Sequence, residues 1–98
     1  MSKPATWASY NGVSATTYGS GGISSIVKLG TGRYAFFFTA SKTNYVVSGS
    51  SAYNSVGYNT WICSVYKTAT YIEVDTCDTI PSLTFVDTPS LDVLVMDF

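Results

Sequence analysis

Hydrophobic and polar residues alternate with a period of two along most of the chain, and the pattern is strongest at residues 29–39. This stretch reads Leu-Gly-Thr-Gly-Arg-Tyr-Ala-Phe-Phe-Phe-Thr, in which Gly30 and Gly32 bracket a threonine. Both glycines can take positive φ without a steric penalty, which suits a short turn. Because residues 23–28 also read as a strand, the pattern predicts a β-hairpin over residues 23–39.

This hairpin carries the strongest hydrophobic signal in the chain, with four aromatic residues in its second strand. Successive side chains on a strand point to opposite faces, so Tyr34, Phe36 and Phe38 share the predicted inward face. Phe37 then points outward, where an uncovered aromatic ring is costly for a protein with few charges. We therefore expect Phe37 to lie in a subunit contact, the alternative being a neighbouring loop of the same chain that covers the ring.

The remaining strands are separated by turn formers at regular intervals. Further strands are predicted at residues 6–10, 13–18, 45–50, 60–66, 70–76 and 91–98. The Asn-Gly pair at 11–12 is a strong hairpin signal, and the glycine-rich residues 19–22 are predicted to form a flexible connection. About eight short strands with turns every 8–12 residues are typical of a sandwich or barrel. The pattern predicts an all-β antiparallel β-sandwich without significant helix.

Composition agrees with this fold class and limits the setting. The chain has 98 residues, which predicts a single domain over residues 1–98. Only 11% of residues are charged and 15% are aromatic, including eight tyrosines. The surface must therefore consist largely of Ser, Thr, Asn and Tyr, which suits an extracellular or virion protein.

The charges are segregated along the sequence, although the net charge is only −1. All five basic residues lie in the first 67 positions, and all six acidic residues lie in the last 26. Antiparallel pairing of strands from the two ends would mix these charges within one chain, and complementarity between subunits is the alternative. The sequence has no basic patch for a phosphate backbone, so we expect no nucleic-acid partner.

No targeting signal is recognisable at the start of the sequence. Residues 1–6 are too short and polar for a secretory signal, and no apolar run approaches the ~20 residues that span a bilayer. We therefore expect synthesis in a cytoplasm, without membrane insertion. Release by cell lysis, as for a virion component, needs no signal.

Residues suited to catalysis or metal binding are scarce. The chain has no histidine, which removes the commonest general base and the commonest metal ligand. Glu73 and Asp75 lie two apart on one strand face and resemble a glycosidase carboxylate pair, but a solvated outer face is the simpler interpretation. We predict that the protein is not an enzyme and holds no cofactor or metal.

The two cysteines are predicted to be unlinked. The strand pattern places Cys63 on a buried face with Trp61 and Val65, and it places Cys77 on an exposed face with the two acids. Opposite faces disfavour a disulfide, and assembly in a cytoplasm disfavours it further.

The best candidate for ligand recognition is the polar segment at residues 50–59. Tyr53 and Tyr58 offer rings that stack on sugars, while Asn54 and Asn59 supply hydrogen-bond donors and acceptors. The alternative is an ordinary loop whose tyrosines fold back onto the sandwich.

The order of these motifs is similar to that of the small C-terminal β-sandwich domain of tailed-phage tail fibres and related virion adhesins. The matching pieces are a Trp strand ending in Asn-Gly at 7–12, Ile-Ser-Ser-Ile at 23–26, Gly-Thr-Gly-Arg-Tyr at 30–34, Phe-Phe-Phe-Thr at 36–39, Asn-Tyr-Val-Val at 44–47, and the Val-rich strand at 92–98. Residues 48–81 do not match. The resemblance implies a virion protein that assembles as a homotrimer and binds a host-surface glycan or other virion subunits.

The subunit contact is expected to involve the ring on the central hairpin and the last strand, which is apolar on both faces. The candidate residues are Phe37, Val93, Val95 and Phe98. Members of the group usually carry this domain after a long shaft, whereas this sequence begins at Met1 directly before it. A capsid or tail decoration protein without a host ligand is therefore the alternative function, and a bacterial carbohydrate-binding module is a third.

Overall fold

Two antiparallel β-sheets pack face to face in the computed structural model, which describes residues 6–51, 61–78 and 84–97. Its strands are β1 (Thr6–Asn11), β2 (Thr16–Gly21), β3 (Ile23–Gly30), β4 (Arg33–Phe38), β5 (Tyr45–Ser51), β6 (Trp61–Lys67), β7 (Tyr71–Asp78), β8 (Thr84–Phe85) and β9 (Leu91–Asp97). The first sheet has the order β2-β1-β9-β5, and the second has the order β3-β4-β7-β6 with β8 beside β7. The predicted β-sandwich is confirmed, and the described residues contain no helix.

The central hairpin forms as predicted, from β3, a two-residue turn and β4. Gly32 has φ of 70° in the turn, whereas Gly30 ends β3 without positive φ. A Cβ at Gly32 would lie only 2.6 Å from the Thr76 carbonyl oxygen. Both the backbone conformation and the close approach of β7 therefore require glycine at position 32.

Aromatic rings from β4 join the two sheets. Tyr34, Phe36 and Phe38 are buried on the inward face, as the alternation predicts. Tyr10 of β1 packs edge-on against Tyr34 and Phe36, with ring centroids 5.5 and 6.1 Å away. Phe38 meets Tyr45 of β5 at 5.4 Å in the same way. The core therefore combines apolar burial with edge-to-face ring contacts.

The glycine-rich segment is a strand rather than the flexible connection that the sequence predicts. Residues 12–15 form the turn, in which the Asn11 side-chain oxygen accepts hydrogen bonds from the Val13 and Ser14 amides. This longer turn delays the start of β2 to Thr16, and pairing with β1 then continues through Gly21.

Cys63 and Cys77 form a disulfide, with their Cα atoms 5.8 Å apart, so the prediction of unlinked thiols is wrong. The reason is an irregularity in the register between β6 and β7. Ile62 pairs with Thr76 and Ser64 with Asp75, which leaves Cys63 as an additional residue on its strand. Such a bulge interrupts the alternation of side chains and turns Cys63 toward Cys77.

The burial predicted around the cysteines is also corrected. Trp61 and Val65, expected inside, are 43% and 39% exposed at the edge strand β6. Asp75 and Cys77, expected outside, are only 8% and 1% exposed. A central strand is flanked by neighbours on both sides, so even its outward side chains lose solvent contact.

The segregated charges meet within the chain. The ion pairs among the described residues join the first half of the sequence to the last third, and they are Lys28–Asp87, Arg33–Glu73, Arg33–Asp75 and Lys42–Asp97. The antiparallel topology thus mixes the charges in one molecule, as the simpler of the two interpretations expects.

Asp87 is the most heavily bonded of these carboxylates. It accepts hydrogen bonds from Lys28 Nζ at 2.8 Å, the Gly32 amide at 2.8 Å and the Tyr34 hydroxyl at 2.7 Å. Burial alone would raise the pKa of Asp87, but these three donors outweigh it and hold the pKa below its ordinary value. Asp87 therefore fixes both the hairpin turn and the end of the aromatic core.

We expect Asp87→Ala to lower the free energy of unfolding by about 3 kcal/mol, because it leaves three donors without their acceptor. The pKa of Asp87 is lowered in the folded state, so its contribution is present at neutral pH and is lost as the pH falls through the folded-state pKa. Urea unfolding at pH 7 and pH 3 measures both effects. The matched control is Asp92→Ala, an exposed acid of β9, and equal losses for the two variants would contradict the role of Asp87.

The disulfide generates a second prediction. Replacing both Cys63 and Cys77 by serine should lower the free energy of unfolding by about 3 kcal/mol, because the bridge closes a loop in the unfolded chain. Urea unfolding of both forms without reductant measures this loss. Protein purified without reductant should show no reactive thiol even in denaturant, and two reactive thiols would rule out the bridge.

Candidate functional site

An exposed tryptophan lies flat against the outer face of the first sheet. Trp7 points outward from β1, and its indole extends over the neighbouring edge strand β2. A Cβ at Gly21 would lie 2.6 Å from Trp7 Nε1, and one at Gly19 would lie 3.0 Å from Trp7 Cη2. The indole therefore packs against the backbone at the two glycines, while 40% of the Trp7 residue stays exposed.

A shallow groove of about 400 Å³ begins beside this ring. It crosses the outward faces of β1, β9 and β5, and its outward-pointing residues are Trp7, Ser9, Ser48, Ser50, Asp92 and Leu94. The strand register arranges them in two rows. Trp7, Leu94 and Ser48 form one row, and the other row is the polar set Ser9, Asp92 and Ser50. The groove therefore has an aromatic and apolar side next to a side of oxygen atoms.

The polar groups of the groove have no bonding partner within residues 6–51, 61–78 and 84–97. Among the residues that the structure describes, none forms a hydrogen bond or ion pair with the Asp92 carboxylate or the Trp7 indole N–H. The same is true of the hydroxyl groups of Ser9, Ser48 and Ser50. Asp87 and Asp97, by contrast, are held by lysines. The groove thus offers an ionised acceptor and several neutral donors and acceptors to a ligand.

The described residues bring no positive charge to the groove. No lysine or arginine is among the described residues that line it. Lys28, Arg33 and Lys42 are paired with acids elsewhere. Lys67 donates to the Tyr45 carbonyl oxygen, and its Nζ lies 4.7 Å from the centroid of the Tyr45 ring. Asp92 is therefore the one charged residue of the described lining.

The outer face of the second sheet has a different chemistry. Arg33 Nη2 lies 3.2 Å from Glu73 Oε2, and Arg33 Nε lies 3.9 Å from Asp75 Oδ1. Asp75 Oδ1 is buried and has no hydrogen-bond partner among the described residues. Burial first, and then the adjacent Glu73 carboxylate, raise the pKa of Asp75 to about 6, with Arg33 opposing.

The two acids are thus part of a partly buried charge cluster, and the expectation that they form a solvated face is wrong. They lie two residues apart on β7, and both face the Arg33 guanidinium.

Phe37 has a partner in its own chain. The ring points outward as predicted, but it is half-buried against Tyr71 of the adjacent strand, with centroids 5.1 Å apart. Tyr71 in turn lies 6.4 Å from Tyr66. A strand neighbour rather than a loop thus covers part of the ring, and the subunit contact at Phe37 stays a prediction.

The last strand does present apolar side chains on both faces. Val93 and Val95, the predicted contact residues, are buried between the sheets and serve the core of this chain. Leu94 and Met96 are the exposed residues of β9. A partner docking on this strand would therefore meet Leu94 and Met96 instead.

The predicted ligand-binding residues are not among those that the structure describes. Tyr53, Asn54, Tyr58 and Asn59 lie outside the described residues, as does Phe98 of the predicted contact. The structure therefore brings a different set of residues together as the candidate site.

Neither Trp7 nor Asp92 is among the residues that the sequence singles out for ligand binding. The sequence does contain a signal for the groove. Gly19 and Gly21 occupy alternate positions in β2, the strand that pairs with the Trp7 strand in a hairpin. That spacing leaves a strip of sheet without side chains, which a large ring can cover.

No family model, curated protein or solved structure matches this chain. The described residues contain no helix long and apolar enough to cross a membrane, and no cluster of three or more metal-binding side chains.

The Asp75 environment generates a prediction on pH. The pKa of the Asp75 carboxyl is 3.8 in the unfolded chain and about 6 in the folded protein. The unfolded chain therefore loses this proton at lower pH, so Asp75 destabilises the folded state as the pH rises between those two values. Asp75→Asn should therefore raise the free energy of unfolding by about 1–2 kcal/mol at pH 8 and change it little at pH 3. Urea unfolding across that range tests this, with Asp92→Asn as the control. A gain that is equal at both pH values would contradict the proposed cause.

Proposed function

We propose that this chain is a virion protein of a tailed phage, of tail-fibre or adhesin type, that binds without catalysis. Its partners would be a host-surface glycan, other virion subunits, or both. The observation that carries the proposal is the groove beside Trp7, in which an aromatic surface adjoins hydrogen-bonding groups that have no partner in the described part of the chain.

The fold agrees with the resemblance but does not decide the function, because β-sandwiches serve many unrelated purposes. The groove adds a reason specific to this chain. Polar side chains on a sheet face are ordinarily hydrated. Here they lie beside Trp7, a residue that is 40% exposed and whose ring is held against β2, and this combination favours a ligand.

A capsid or tail decoration protein is the alternative, and the exposed apolar residues of the first sheet favour it. Val46 and Met96 are exposed cross-strand neighbours on the outward face. They form the next row along β9 after the row that contains Leu94. Such a strip suits contact with another protein, either in a homotrimer or on a virion surface.

Immunogold electron microscopy of particles from cells that produce this chain tests the proposal. We expect label on the tail or its fibres, and light scattering on the purified protein should give the mass of a trimer. Label confined to the head would support the decoration protein, and particles without label would overturn the virion assignment.

A further inference from the structure

We propose that the groove on the first sheet binds an uncharged saccharide, with one sugar ring stacked on Trp7 and its hydroxyl groups bonded to Asp92 and the neighbouring serines. This inference rests on the proposed function, because it names the ligand class and the residues of a binding activity that the proposed function states only in outline.

The first argument is the preorganisation of the aromatic surface. The Trp7 ring cannot turn down toward β2, because the backbone at Gly19 and Gly21 already lies against its underside. One face of the indole is therefore fixed in place and the other is open. A ligand that stacks on such a ring need not immobilise it first, which reduces the entropy cost of binding.

The second argument is the arrangement of polar groups beside the ring. A pyranose has an apolar face of C–H groups and a rim of hydroxyl groups, so it needs a flat ring next to hydrogen-bond acceptors and donors. The groove supplies this combination, with Ser9 and Asp92 in the row adjacent to Trp7. The Asp92 carboxylate accepts from hydroxyl groups in charge-assisted bonds, while serine hydroxyls both donate and accept.

The same polar row argues against an apolar protein segment as the occupant of this groove. An apolar surface packed over Asp92 would remove water from an ionised carboxylate that has no partner among the described residues. That desolvation is costly unless the ligand supplies hydrogen-bond donors. A saccharide does so along its whole rim.

Charge then narrows the saccharide class. The one charged residue of the described lining is Asp92, which is negative, and no described lysine or arginine lies there to offset a carboxylate, sulfate or phosphate. Anionic sugars would meet Asp92 at close range without compensation. We therefore expect uncharged glycans to bind and anionic ones to be excluded.

A ligand in the groove would not occupy the opposite side of the sandwich. Phe37 and Tyr71 lie on the outer face of the second sheet, whereas Trp7 and Asp92 lie on the outer face of the first. A glycan on one face and a subunit at Phe37 can therefore be bound at the same time.

The experiment measures binding of the purified chain to dextran and mannan, with dextran sulfate as the matched anionic polymer, by affinity electrophoresis. We expect retardation by at least one uncharged polymer and none by dextran sulfate at equal sugar content. Binding only to dextran sulfate would overturn the inference, and so would the absence of binding to both uncharged polymers.

Two substitutions locate the site. Trp7→Ala should weaken binding at least about tenfold, and Asp92→Asn should weaken it about threefold to tenfold because a charge-assisted acceptor becomes a neutral one. The matched control is Trp61→Ala, which removes an equally exposed tryptophan, 43% against 40%, from the second sheet. Equal losses for Trp7→Ala and Trp61→Ala would place the ligand elsewhere.

The fold of each variant is checked by its near-ultraviolet circular dichroism and its urea midpoint. If Trp7→Ala does not fold, binding by Asp92→Asn tests the site. The Asp92 side chain is exposed and bonds to no described residue, so this variant is expected to fold. Unchanged binding by folded Asp92→Asn would then overturn the site. Failure of this inference differs from failure of the proposed function, because the particle labelling does not depend on any glycan.

Discussion

The contact of the β4 rings with the opposite sheet is the interaction on which the rest of the structure depends. Tyr34 and Phe36 meet Tyr10, and Phe38 meets Tyr45, so one strand of the second sheet holds two strands of the first. Burying an aromatic side chain stabilises the fold by roughly 1.5–3 kcal/mol. Among the described strands, β4 alone buries three such side chains. Asp87 secures the same strand at its polar end through the Tyr34 hydroxyl.

This concentration of apolar burial in the core leaves the outer faces for the ligand binding that we propose. Few charges are available for the surface, and most of the basic ones are used in ion pairs that join distant parts of the sequence. The outer face of the second sheet is occupied by its own contacts, with Arg33 between two acids and Phe37 against Tyr71. On the outer face of the first sheet, no described residue bonds to the Trp7 indole N–H or the Asp92 carboxylate, which is why we propose the ligand there.

The alternation of apolar and polar positions was sufficient to predict the fold class, the central hairpin and the inward face of β4. It failed where the chain departs from strict alternation. The extra residue at Cys63 reverses the expected facing of one cysteine, and a bulge leaves no signature in the local pattern of hydrophobicity. Residues 19–21 were misread because glycine has low strand propensity, and the reason to tolerate it there, the overlying Trp7 ring, belongs to a different strand.

The candidate site was less predictable than the fold because it is defined by register rather than by composition. Ser9, Asp92 and Ser50 are far apart in the sequence, and each is unremarkable in its own strand. They form one polar row only because β9, the last strand, inserts between β1 and β5. The same insertion sets Leu94 beside Trp7 and buries Val93 and Val95. One topological choice therefore both completes the core and creates the groove, so the site and the stability of the first sheet share β9 as their common element.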